Sequence, residues 1–269
     1  MMDQKTDILK TTMSKPDLHQ KWIETYIFDS LKIYDLVFDK IKKIVFHGED
    51  DTFLDAGCGN GVNTIRLVKR GFKVVATDFS EEALKLCRQN VSKYKYDGKV
   101  DIKTEDLLSL KFKNDNFDAV LCWGVLMHIY EVERALNNLC RVIKPGGYLI
   151  ICEVSQYAPE SLIAWIIKKI APQKNDEIVK SKFGVDYWSD TQAGRMLVRK
   201  SNIPSYIKYL DTKGFKKVEH IPGQFTQLYT RITNSIIKKI LLTLNLLWFQ
   251  YVKFPNLSRE QILIFKKCN

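Results

Sequence analysis

The stretch Phe53-Leu54-Asp55-Ala56-Gly57-Cys58-Gly59-Asn60-Gly61 runs from apolar residues into a turn with glycine at every second position. Glycine has no side chain to hold a ligand away, and it adopts backbone conformations that other residues resist. When a helix follows such a turn, its first N–H groups lack intrahelical partners and carry positive partial charge, which suits a carboxylate or phosphate. The same turn also occurs as plain structure in doubly wound sheets, so a second feature has to narrow the reading. Asp78 supplies it by closing the apolar run Val74-Val75-Ala76-Thr77, 23 residues beyond Asp55. A carboxylate at that strand tip can accept both hydroxyls of a ribose.

Ribose recognition of this kind serves nicotinamide dinucleotides and S-adenosylmethionine alike. Three details favour the second: the G-x-G-x-G spacing, Asp55 ahead of the glycines, and Glu105-Asp106-Leu107 after a weaker third strand at Asp101 to Lys103. Phe117-Asp118-Ala119-Val120-Leu121-Cys122 and Arg141-Val142-Ile143-Lys144-Pro145-Gly146-Gly147 follow in order. Together these motifs resemble those of the class I S-adenosylmethionine-dependent methyltransferases, from about residue 50 to 155. The resemblance implies S-adenosylmethionine as cofactor and a role for each motif. Gly57 and Gly59, within the turn Ala56, Cys58, Asn60 and Gly61, would approach the methionine part, with Asp55 positioning its amino group. Asp78 would hold the ribose, and Phe79 would lie against the adenine. Asp106 would meet the adenine amino group, with Leu107 as its apolar neighbour. Cys122 and Trp123 would end the fourth strand beneath the reactive methyl. No metal is expected.

Methyl transfer from a sulfonium is an in-line displacement whose thioether leaving group needs no proton. The protein therefore supplies mainly alignment and desolvation, which can account for roughly 7–11 kcal/mol of a barrier. An acceptor hydroxyl or amine must still lose a proton, and His128, six residues past Cys122, is the candidate general base. The other reading of His128 is a side chain that lines the acceptor and moves no proton. Cys122-Trp123-Gly124-Val125 stands where enzymes of exocyclic base amines resemble one another in an Asp or Asn, two prolines and an aromatic. A Pro-Cys setting for cytosine C5 chemistry is also missing from the sequence. The leading expectation is an enzyme methylating oxygen or nitrogen of a small-molecule acceptor: a carbohydrate, lipid precursor or secondary metabolite. An RNA methyltransferase, acting on ribose, and a non-catalytic S-adenosylmethionine-binding protein are the alternatives.

The elements that must position these residues follow from apolar periodicity. Asp17 to Val45 reads as one or two amphipathic helices, and Met1 to Lys15 as a frayed tail. Strands are expected at 52–56, 74–77, 101–103, 117–122, 148–154, 215–221 and 261–266, and helices at 60–70, 81–94, 132–142 and 205–213. This alternation predicts an α/β fold: a doubly wound, mostly parallel seven-stranded sheet with helices on both faces. An N-terminal helical extension precedes it, and inserts follow strand five and separate strands six and seven. The expected divisions are a tail and helical cap over 1–46, a donor-binding core over 47–155, and acceptor-side inserts with the last two strands over 156–269. Tyr157, Trp165, Tyr187, Trp188, Tyr206, Phe225 and Tyr229 are candidate acceptor-pocket residues. Trp22 and Tyr26 are candidate caps over the donor.

The chain has 269 residues and a formal net charge of +11. Residues 155–269 hold 19 Lys and Arg against 8 Asp and Glu, so the whole excess lies there. It marks either a segment that meets anionic partners or a generally lysine-rich composition. Six cysteines with no C-x-x-C spacing read as reduced thiols, and the N-terminus does not read as a signal peptide, which together predict a cytoplasmic location. The apolar stretch 236–252 carries hydrophobic residues on nearly every face of a helix. It either packs in the protein or a dimer interface, or rests peripherally on an anionic membrane. The sequence sets no oligomeric state.

Overall fold

Phe53 and Leu54, neighbours in one strand, serve two different cores, because adjacent side chains in a strand point to opposite faces. They lie in β1 (Thr52–Ala56) of a computed structural model that describes residues 2–26, 31–46, 48, 51–170, 175–252 and 254–269. The other strands of its sheet are β2 (Lys73–Asp78), β3 (Val100–Thr104), β4 (Phe117–Trp123), β5 (Ile143–Val154), β9 (Phe215–Pro222) and β10 (Glu260–Lys267). The strand order is β3-β2-β1-β4-β5-β10-β9. β1 to β5 pair in parallel, whereas β10 runs antiparallel to both β5 and β9.

Leu54, Val120, Leu149 and Leu263 share one apolar cluster with Leu136 and Leu139 of α6 (Val132–Val142) and Leu210 of α8 (Ile203–Thr212). Phe53, Leu121, Ile150 and Ile262 share the other with Phe38 and Ile41 of α3 (Leu31–Val45) and Leu67 of α4 (Val62–Lys69). Burial on both faces explains why these strands read as continuous apolar runs. The chain leaves β1 for β2 and returns to β4 on the other side of β1. That reversal opens a crevice above the strands' carboxyl ends.

Local signals set the helix starts around it. Ser80 accepts from the backbone N–H of Ala83 and so caps α5 (Glu81–Lys93), whose first turn carries Glu81 and Glu82. Asn202 caps α8 in the same way, and Asn234 caps α9 (Ser235–Leu247), accepting from Ile236 and Ile237. α9 runs on into a π turn over Trp248–Val252.

Two expectations are corrected. The polar N-terminus is helical, α1 (Met2–Met13), because Leu9 is buried in a cluster with Trp188 and Leu197, far along the chain. It is followed by α2 (Pro16–Tyr26). The region after β5 is also more regular than its sequence implies. α7 (Pro159–Ile170) is followed by β6 (Glu177–Ser181), β7 (Gly184–Thr191) and β8 (Gly194–Ser201), a separate three-stranded antiparallel sheet. Arg199 on β8 is buried and forms a bidentate pair with Asp186 on β7, at 2.7 and 2.9 Å. Its remaining nitrogen donates to the carbonyls of Leu126 and Ile129, tying this small sheet to the loop after β4.

Candidate active site

The turn between β1 and α4 has left-handed backbone at Gly57, Gly59 and Gly61, with φ of +79°, +55° and +79°. A Cβ at Gly57 would come within 2.5 Å of Val125 Cγ2, and one at Gly61 within 2.5 Å of Cys87 Sγ. The glycines are thus required by conformation and, at these two positions, by close neighbours. The N–H groups of Gly57 and Cys58 both donate to the Thr77 carbonyl at 2.8 Å. Asp78, at the tip of β2, accepts from Gly59 N–H on one carboxylate oxygen and from Ser80 N–H on the other, each at 3.0 Å. Burial raises its pKa, and those backbone donors oppose the rise.

These groups border a cavity of about 450 Å³ at the crevice. Of the residues expected at the donor, Gly57, Cys58, Gly59, Asn60, Asp78, Phe79, Asp106, Leu107 and Trp123 line it, as does His128. Asp55, Ala56, Gly61 and Cys122 are not among the lining residues. Ala56 and Cys122 are fully buried, and Asp55 accepts from Thr64 Oγ1 at 2.6 Å, which anchors β1 to α4. Burial pushes the Asp55 carboxyl up to about 7. Asp106 accepts from Lys10 Nζ at 2.6 Å and from Leu108 N–H at 2.8 Å, so α1 is pinned across the cavity. Trp22 of α2 lines the same space and stacks on the His128 ring, centroids 5.8 Å apart and planes at 27°. The side chain of Tyr26 lies outside the described residues.

The His128 ring nitrogen Nδ1 lies 2.7 Å from the Leu197 carbonyl. A carbonyl only accepts, so Nδ1 carries the proton and Nε2 keeps the lone pair when the ring is neutral. Burial lowers the His128 pKa, with the positive charges of Lys200 and Arg199 acting in the same direction. The neutral form is therefore favoured at neutral pH.

The aromatic expectations for the acceptor pocket fail. Tyr157, Trp165, Tyr187, Trp188, Tyr206, Phe225 and Tyr229 are all absent from the lining. Trp188 and Tyr206 are buried in packing clusters, Phe225 stacks on Trp248, and Tyr157 is exposed. Residue type alone does not separate packing from lining. The later segments contribute Met196, Val198, Gln227, Arg259 and Glu260 instead. Sequence reading also missed Glu153, at the carboxyl end of β5. It lines the cavity, accepts from Ser201 Oγ at 2.7 Å, and burial pushes it up to about 7. An acid closing an apolar strand was its one visible sign.

Comparison with known proteins accords with this geometry. The family described as Methyltransferase domain matches residues 47–200. A demethylmenaquinone methyltransferase of Clavibacter sepedonicus is 29% identical over 174 residues, which is 63% of this chain and 67% of that protein. Another, of Thermobifida fusca, is 35% identical over 118 residues, 43% of this chain and 50% of the relative. The chain thus spans between half and two thirds of the length of these relatives. The solved structure of a S-adenosylmethionine-dependent methyltransferase from Clostridium acetobutylicum superimposes with a TM-score of 0.60 at 16% identity, covering 94% of this chain and 97% of that one. A family match across more than half of the sequence, on the residues that build the glycine turn and the strand-tip acids, places this chain in the class I S-adenosylmethionine-dependent methyltransferase family.

Proposed function

We propose that the protein transfers the methyl group of S-adenosylmethionine to an oxygen or nitrogen of a small-molecule acceptor, with His128 taking the acceptor's proton. The observation that carries this reading is one cavity bordered by the glycine turn, by Asp78 and Asp106 after successive strands, and by a histidine whose tautomer is fixed. The residues fit the donor. Asp78 is oriented by two backbone N–H groups, and each oxygen keeps a lone pair for a ribose hydroxyl. Gly57 and Gly59 leave bare backbone beside it. Asp106 is placed for an exocyclic amine, in exchange for Lys10. When bound, S-adenosylmethionine supplies an electrophilic methyl on a positively charged sulfur.

The chain's own residues then hold and dry the acceptor. Val125, Met127, Ile129, Met196 and Val198 give its wall apolar area, and Glu153, Gln227, Arg259 and Glu260 give it polar contacts. Relatives named demethylmenaquinone methyltransferase and ubiquinone biosynthesis O-methyltransferase support a lipophilic acceptor related to quinones, and the second name supports a hydroxyl group as the methylated site. His128 Nε2 is the acceptor of that hydroxyl's proton, and desolvation strengthens the hydrogen bond that aligns the oxygen. Closure by α1, α2 and β8 favours a small molecule over an RNA strand. We propose a cytoplasmic location. Release of S-adenosylhomocysteine against quinols, phenols, sugars and RNA tests the reading. Turnover with a lipophilic hydroxyl compound supports it, and turnover with RNA alone overturns it.

A further inference from the structure

On α9 the outward face is apolar, and the buried side chain of the helix is Asn245. Its amide exchanges hydrogen bonds with the backbone of Thr226, at 3.0 and 2.8 Å. Ile236, Ile240 and Leu244, one helical turn apart, stand exposed. α7 shows the same inversion, with Ile163, Ile166 and Ile170 exposed along one stripe. Lys169 Nζ sits 4.1 Å from the centre of the Trp165 ring on the same helix, a pairing suited to the boundary between water and lipid.

Both helices are anchored at one point. Glu160 in the first turn of α7 accepts from Thr226 Oγ1 at 2.6 Å and from Gln227 N–H at 2.9 Å, while Asn245 of α9 holds the Thr226 backbone. Gln227 itself lines the cavity. The two apolar stripes therefore flank a segment that reaches the proposed acceptor site.

The charges around these stripes identify their partner. Residues 220–258 contain no Asp or Glu, but carry Arg231, Lys238 and Lys239. The last turn of α7 carries Lys169. A second copy of the chain packed symmetrically on this face would set lysines against lysines, a repulsive arrangement. An anionic bilayer offers apolar depth for the isoleucines and leucines and negative headgroups for the rim. Among the described residues no helix is long and apolar enough to cross a membrane, so the contact is interfacial. We propose that α7 and α9 form one composite face that docks the protein on an anionic membrane surface, beside the mouth of the acceptor cavity.

Sedimentation of the full chain with vesicles tests this whether or not methyl transfer is found. The probes are vesicles of phosphatidylcholine alone and of phosphatidylcholine with an equal part of phosphatidylglycerol. The wild type should bind the anionic vesicles and be released by salt. The double variant Ile166→Asp with Ile240→Asp, at two exposed positions that leave the core intact, should lose at least about tenfold in affinity. Lys239→Glu should lose roughly fivefold or more on anionic vesicles only. Circular dichroism checks that each variant is folded. Failure to bind anionic vesicles overturns the proposal. So does equal binding to both compositions, or a dimer in analytical ultracentrifugation that the double variant dissociates.

Discussion

The Nδ1–H of His128 donates to the carbonyl of Leu197 at 2.7 Å, so a strand of the small sheet fixes the tautomer of a histidine on the large sheet's loop. In the neutral ring that bond leaves the lone pair on Nε2, the atom proposed as the base. His128→Gln keeps a donor for the carbonyl but has no basic nitrogen. Turnover should fall about a hundredfold or more at saturating acceptor, with donor binding unchanged by calorimetry. Unaltered turnover would take His128 out of the mechanism.

The acid limb of the activity profile follows from the same ring. Its pKa is depressed from 6.5 by burial, and the proposed base must be neutral, so activity is expected above that lowered pKa and is lost as pH falls through it. The log of turnover over substrate affinity, plotted against pH, should have the midpoint of its acid limb below 6.5. A bend above 6.5 would mean that another group titrates.

Arg199 holds the His128 loop through the carbonyls of Leu126 and Ile129 while its other nitrogens engage Asp186. Arg199→Met removes one member of a buried pair and strands the other charge. Stability in urea should drop by about 3–5 kcal/mol. A loss within 1 kcal/mol would show that the pair relaxes into solvent.

Gly57→Ala places a methyl 2.5 Å from Val125 Cγ2 at a φ of +79°. Left-handed backbone alone costs about 1–2 kcal/mol in an alanine, and the contact adds to it. The expected result is at least a tenfold loss of S-adenosylmethionine affinity in a protein that still folds. Normal affinity would show that the turn shifts freely.

Much of this was legible in the residues themselves. Phe53 to Gly61 announced a strand, a turn and a helix start, because glycine spacing and apolar runs are local signals. Asp78 and Asp106 were readable as strand-tip acids, since their place in the order of motifs fixes their place in the fold. β6, β7 and β8 were not readable. Their connections, Lys182-Phe183 and Gln192-Ala193, lack the Asn-Gly or Asp-Gly pair that marks a tight hairpin. α1 looked like a tail because Asp3, Lys5 and Asp7 are polar, yet Leu9 and Lys10 find partners about a hundred residues or more away. Such long-range pairing leaves no mark on local composition. For the same reason little in the local sequence marks Glu153 as a cavity residue, while Tyr206, a conspicuous aromatic, is held by packing away from the pocket.

Calorimetric titration of the full chain and of Asp78→Asn with S-adenosylmethionine and with a nicotinamide dinucleotide tests the donor site most directly. The substitution keeps the shape but gives up the charge that two backbone N–H groups orient and that is proposed to meet the ribose. The wild type should bind S-adenosylmethionine alone, and the variant should bind it roughly tenfold or more weakly. Binding of the dinucleotide in its place, or equal affinity in both proteins, would contradict the account.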